Sequence, residues 1–232
     1  MRSNLARPGV PSVSSAASIV LHCGFVIAGI VTTLLGPLLP ILIGRWSLSD
    51  QRAGLFFTAQ FVGSMVGVAS IGPLIKRGYR YTFVCGFAFI AAGVAGLNLG
   101  GYVASLAAAA AFGCGLGQSI SSANLWVAEI AKARRVAALS ILNLMWGIGA
   151  IVSSPFVMVA QRHFMTSWLL YAIAACSAFT AVLLSGMNLE PEMTRQAEPV
   201  HERALKDNIS VRSTLSLAAL FFLYVGDRKS VV

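Results

Sequence analysis

The sequence predicts an all-α membrane protein: six transmembrane helices in two groups of three, followed by the start of a seventh. Three observations carry this. The chain holds six apolar runs, each near the roughly 20 residues that a helix needs to cross a hydrocarbon core about 30 Å thick. It is 57% hydrophobic and only 11% charged, with a mean hydropathy of +0.78, whereas an ordinary soluble domain has about 25% charged residues. Its Lys and Arg residues, which give a formal net charge of +9, collect in alternate loops.

Residues 1–16 form an N-terminal segment carrying Arg2 and Arg7. The first span, Ala17–Ile43, resembles a signal peptide in having a basic lead, but its 27 residues, its Gly36, Pro37 and Pro40 and the spans that follow mark an uncleaved first helix. The next spans are Ala53–Ile75, Tyr81–Leu99, Tyr102–Ala128, Val136–Ala160 and Ser167–Gly186, which complete a bundle over residues 17–186. Residues 187–213 hold five acidic and four basic residues with Pro191 and Pro199. That mixture predicts a solvated linker, with a short helix from Glu202 to Arg212 along the membrane surface. A seventh helix begins at residues 214–225 and is too short to cross. Residues 226–232 back-translate through permitted codons into a sequencing-adapter read-through and are read as an artefactual tail, the alternative being a real cytoplasmic tail.

The basic residues settle both partner and orientation. Twelve lie in the N-terminal segment and in the loops after the second, fourth and sixth spans, against Arg45, Arg52 and Arg162 in the other loops. Lys and Arg retained on one side mark the cytoplasm, which places the N-terminus there and makes the partner a lipid bilayer rather than nucleic acid. Cys23, Cys85, Cys114 and Cys176 fall on four different spans, so no disulfide, metal site or cofactor is expected. Gly113-x-Gly115-x-Gly117 lies in an apolar helix and is no nucleotide loop. Trp46, Trp126, Trp168, Tyr81 and Tyr102 are read as interfacial anchors.

Small and polar residues then mark faces on corresponding spans. Gly29, Thr33, Gly36 and Pro40 share a face of the first, and Gly113, Gly117, Ser121, Asn124 and Ala128 share one of the fourth. Such interrupted helices in matching positions point to a transporter's binding site, although the same glycines also serve close helix packing. Gln118 adds an amide to the fourth span. Gln60, Ser64 and Gly67 on the second, and Asn143, Gly147, Ala150 and Ser154 on the fifth, form further polar faces. Buried amides are costly without a partner or water. The candidate solute-binding set is therefore Gln60, Gln118, Asn124, Asn143 and Trp146, with Gly29, Gly36, Gly113 and Gly117 lining a cavity. Trp146 offers an aromatic platform for a sugar ring.

The stretch "IGPLIKRGYR" resembles the loop between helices two and three of the major facilitator superfamily, whose pattern runs Gly-x-Leu-x-Asp-Arg-x-Gly-Arg. Gly72, Leu74, Arg77 and Gly78 fit; Lys76 stands where the pattern has Asp, and one residue is missing between Arg77 and Gly78. "LSDQRAGLFFTAQFVGSMVG" and "NLMWGIGAIVSSP" resemble the second and fifth helices, particularly of the fucose-permease-like branch. The likeness spans Gly36 to about Gly186. It implies the six-helix N-terminal bundle of the major facilitator fold, a 3+3 inverted repeat, whose partner is a C-terminal six-helix half missing from this chain. It further implies a non-enzymatic secondary transporter working by alternating access; symport of a sugar across a bacterial inner membrane is the expectation, with export and uncoupled transport left open.

The carboxylates bear on mechanism. None lies well inside a span, and "AFGCGLGQSIS" lacks the superfamily's proton-linked Arg on the fourth helix, so coupling falls to the missing half or to His22, or is absent. Glu129 closes the fourth span beside Lys132, Arg134 and Arg135. The resemblance implies a cytoplasmic gate built from Lys76, Arg77, Arg80, Glu129, Arg134 and Arg135, with Glu129 meeting Arg77 or Arg80 in one conformation. A small polar organic solute such as a sugar fits the uncharged binding set; export of an amphipathic drug is the alternative, and a non-transporting scaffold is a third reading. An intramembrane protease would need a His at depth beside Ser119, which the sequence does not supply.

Overall fold

The computed structural model describes residues 15–131, 134–163 and 165–189, all within the compact unit Met1–Pro191. Residues 1–14, Lys132 and Ala133, Phe164 and residues 190–232 lie outside this description, and with them most of the linker, the seventh helix and the tail. Eight helices and no strand occur among the described residues: α1 (Ser15–Thr33), α2 (Leu35–Trp46), α3 (Asp50–Ala69), α4 (Ile71–Ile75), α5 (Tyr79–Leu99), α6 (Tyr102–Ala131), α7 (Arg135–Arg162) and α8 (Thr166–Ser185).

Two of the six expected spans are interrupted, each by a proline. Pro37 has no N–H to offer the carbonyl four residues earlier, that of Thr33, and α1 ends there. Pro73 stands in the same relation to Ala69, the last residue of α3. Leu34 between α1 and α2 nevertheless keeps helical dihedrals (φ −57°, ψ −39°), and Ser70 stays close to them (φ −76°, ψ −10°). Each break is thus a gap in the hydrogen-bond ladder rather than a turn of the chain. Gly78, at φ 106°, makes the reversal between α4 and α5 in a conformation that only glycine adopts without strain.

Five helices, α1 and α5 to α8, are long and apolar enough to cross a membrane. The 20 residues of α3 are long enough, but Asp50, Gln51 and Arg52 in its first turn and Gln60 and Ser64 further on lower its hydropathy. Its first turn is fixed by Ser49, whose hydroxyl accepts from the Arg52 N–H at 3.4 Å.

Apart from the consecutive pair α5 and α6, the main helix contacts join helices distant in the sequence. α1 lies along α7, α3 along α6, and α5 against both α6 and α8. Phe25, Phe56, Phe83, Phe87 and Phe112 are fully buried in the resulting core. At one end lie Arg77 in the loop after α4, Arg80 in the first turn of α5 and Arg135 at the start of α7. At the other, Trp46 stacks on Phe56 (centroids 6.1 Å apart), the Tyr102 hydroxyl donates to the Arg52 carbonyl (3.0 Å), and the Asn98 amide donates to the Ser167 carbonyl (3.1 Å).

Candidate solute site and basic end

The α3–α6 seam is built on glycine. A Cβ on Gly113 or Gly117 would meet the carbonyl oxygen of Gln60 or Ser64, and one on Gly63 or Gly67 that of Ala110 or Cys114. The α1–α7 seam repeats this reciprocity, Gly29 facing the Trp146 carbonyl and Gly149 that of Val26. Gly29, Gly113 and Gly117, expected from sequence to line a cavity, are therefore buried in close helix contacts, as small residues permit between membrane helices. Gly36 is exposed, with nothing within 4 Å of where its Cβ would stand.

Close approach at these seams brings polar side chains together beside the α1–α2 break. The Gln60 amide Nε2 donates to the Thr32 carbonyl (3.1 Å) and the Trp146 indole Nε1 to the Thr32 hydroxyl (3.3 Å). Thr33 donates to the Ala150 carbonyl (3.3 Å), and Ser153 to that of Ile30 (3.1 Å). Three separate spans thus meet at Thr32. Gln60 is only 4% exposed, and its Oε1 has no partner. A buried carbonyl oxygen left in that state costs about 1–3 kcal/mol.

The remaining amides lie elsewhere. Gln118, 3% exposed, donates through Nε2 to the Ser70 hydroxyl at the α3–α4 break (2.9 Å), and its Oε1 is likewise unpartnered. Asn124 lines a cavity of about 540 Å³ with Ser121, Ala128, Gly72 and Arg135. Along α6 the glycines up to Gly117 press on α3, and from Ser121, four residues on, the helix lines this space. Asn143 is exposed on α7. The structure joins Gln60 to Trp146 through Thr32, and does not bring Gln118, Asn124 or Asn143 to that point.

At the basic end, Lys76, Arg77, Arg80, Glu129, Arg134 and Arg135 are all exposed. Arg77 lies over the Tyr81 ring, 5.5 Å from its centroid, and Arg80 Nη1 reaches the Ser185 carbonyl at 3.5 Å. Among the described residues, no ion pair ties Glu129 to Arg77 or Arg80. Trp126, expected as an interfacial anchor, is instead buried; its indole donates to the Leu189 carbonyl (2.8 Å) and packs edge-on to Phe83. His22 donates from Nδ1 to the Ser18 carbonyl one turn back (2.6 Å).

The Major Facilitator Superfamily model matches residues 21–226, most of the chain. The chain belongs to that superfamily. No curated protein matches it significantly. As a superfamily member with membrane-length apolar helices, it is an integral, multi-pass membrane protein of a secondary-transporter family.

Within that superfamily fold, sequence reasoning missed Thr32 and Ser70, the two residues on which Gln60, Trp146 and Gln118 converge. A hydroxyl next to a proline-made gap was the available signal in both cases. Thr32 precedes Pro37 by five residues and Ser70 precedes Pro73 by three, and freed backbone groups in a membrane helix are commonly met by such side chains.

Proposed function

We propose that this superfamily member moves a small polar, uncharged organic solute, of the sugar class, across the membrane by alternating access, with Thr32, Gln60 and Trp146 forming part of its contact surface. One observation supports this above others: Gln60, buried in an apolar bundle, keeps an unpartnered carbonyl oxygen beside an indole and a threonine at a helix gap. A hydroxylated solute supplies the missing donor, and the indole a face for the ring. No charged side chain takes part in these contacts, so neither an anion nor a cation has a clamp there. Asn124 in the cavity toward the basic end, with Gln118 and Asn143, extends the polar path that such a solute follows.

In this reading the basic end is cytoplasmic, because Lys and Arg are retained there. Lys76, Arg77, Arg80, Arg134 and Arg135 face Glu129 in the outward-open state, in which the ends of α4, α6 and α7 draw together. A C-terminal six-helix half completes the path, and the membrane is a bacterial inner membrane.

The test is uptake of a panel of labelled monosaccharides and polyols by cells expressing the complete gene, set beside drug-resistance profiles. Uptake that falls on Gln60→Leu supports the reading. Resistance to amphipathic drugs without polyol uptake overturns it in favour of an exporter, and neither activity favours a scaffold.

A further inference from the structure

The arginines at the basic end border a second cavity, distinct from the one at Asn124. It measures about 470 Å³ and is lined by Arg77, Arg80, Tyr81, Val84, Ser185 and Asn188. It lies between the start of α5 and the end of α8. Its volume is within the range of small-molecule sites, about 300–1,000 Å³, and none of the described residues that line it is acidic.

Its α5 side carries the two arginines with Tyr81 and Val84, and its α8 side the polar Ser185 and Asn188. Arg77 is held above the Tyr81 ring, and Arg80 is steadied by its long contact to the Ser185 carbonyl. A guanidinium has five N–H donors in a planar fork suited to phosphate oxygens, and that contact engages one of them. Beyond this lining, apolar residues lead away from the arginines along α5 and α8. Val84 stands one turn below Arg80. On α8, Val182 and Phe179 follow Ser185 at intervals of three residues, hence along one side of the helix, and are 66% and 62% exposed. A double cation at the mouth above an exposed apolar lane along a membrane-spanning helix matches an amphiphile with an anionic head, not a free ion.

We infer that this cavity holds the phosphate headgroup of an anionic phospholipid, with Arg77 and Arg80 on the phosphate and an acyl chain lying along Val182 and Phe179. Basic pockets between membrane helices favour such lipids by electrostatic attraction that adds with each Arg. The inference rests on membrane insertion alone and stands whatever the solute is.

Native mass spectrometry of the full chain, purified in mild detergent and supplied with phosphatidylglycerol or phosphatidylcholine of matched acyl chains, provides the test. Retention of phosphatidylglycerol over phosphatidylcholine is expected, falling about tenfold or more in Arg77→Gln/Arg80→Gln. Arg52→Gln/Arg162→Gln, at the opposite end, serves as the charge-matched control and retains the lipid. Val182→Asp, which leaves both arginines, lowers retention as well. Equal retention of the two lipids, or retention undiminished in the double variant with its helical circular dichroism intact, overturns the inference. Displacement of the lipid by millimolar inorganic phosphate, with Val182→Asp without effect, overturns it in favour of a soluble-anion site.

Discussion

Alanine at Gly113 tests the glycine seam directly, with Gly54→Ala as its reference. Both residues lie within helices. At Gly54 an added Cβ meets nothing within 4 Å, whereas at Gly113 it runs into the Gln60 carbonyl. Replacing a helical glycine by alanine stabilises by about 0.5–1 kcal/mol through backbone entropy, and that gain is common to the two sites. Overpacking costs about 1–3 kcal/mol. At Gly113 the obstacle is backbone, which cannot rotate aside, so the cost falls in the upper part of that range. Gly54→Ala is therefore stabilised by about 0.5–1 kcal/mol, and Gly113→Ala destabilised by about 1–2 kcal/mol. The gap between them isolates the packing cost, because propensity cancels. Equilibrium unfolding in mixed micelles, followed by far-ultraviolet circular dichroism, measures both. Gly113→Ala at least as stable as Gly54→Ala would show that α3 and α6 do not depend on this close approach.

Other expectations concern single contacts. Trp146→Phe removes the bond to the Thr32 hydroxyl and lowers stability by about 0.6 kcal/mol, the usual worth of such bonds between membrane helices, and a Thr32→Val/Trp146→Phe cycle should reveal coupling of similar size. Trp126→Phe strips the Leu189 carbonyl of its buried donor, costing about 1–3 kcal/mol, and should speed hydrogen exchange at the end of α8. Glu129→Lys in the complete gene product should shift cysteine accessibility between the two sides of the membrane; an unchanged pattern would remove Glu129 from the gate.

The helices were readable because run length and apolar content mark them: each of the six expected runs corresponds to one helix or to a pair separated by a gap, and five of the helices are long and apolar enough to cross a membrane. Gaps were harder. Gly36, Pro37 and Pro40 all signalled an interruption, but only the missing N–H of Pro37, counted back four residues, locates it at Thr33. Pro73 carries the same information and is easily passed over inside an apolar run. The candidate site was legible in kind rather than in grouping. Gln60 and Trp146 stood out as polar groups at membrane depth, yet nothing in spacing along one helix tells which residue of another helix faces it. Glycine faces carried the deeper ambiguity, since a stripe that opens a cavity and one that closes a seam have the same periodicity. On α6 one stripe does both in succession.

The crossed pairing of helices also sets the order in which the bundle can be built. Thr33 and the carbonyl it reaches on α7 are 117 residues apart, so at 5–20 residues per second the first helix waits roughly 6–23 s for its partner to be synthesised. Through that interval the small-residue side of α1, with Gly29 and its hydroxyls, has only lipid, water or the insertion machinery against it. The first of the described helices is thus among the last to be packed. Substitutions on its α7-facing side should lower the yield of inserted protein more than its equilibrium stability.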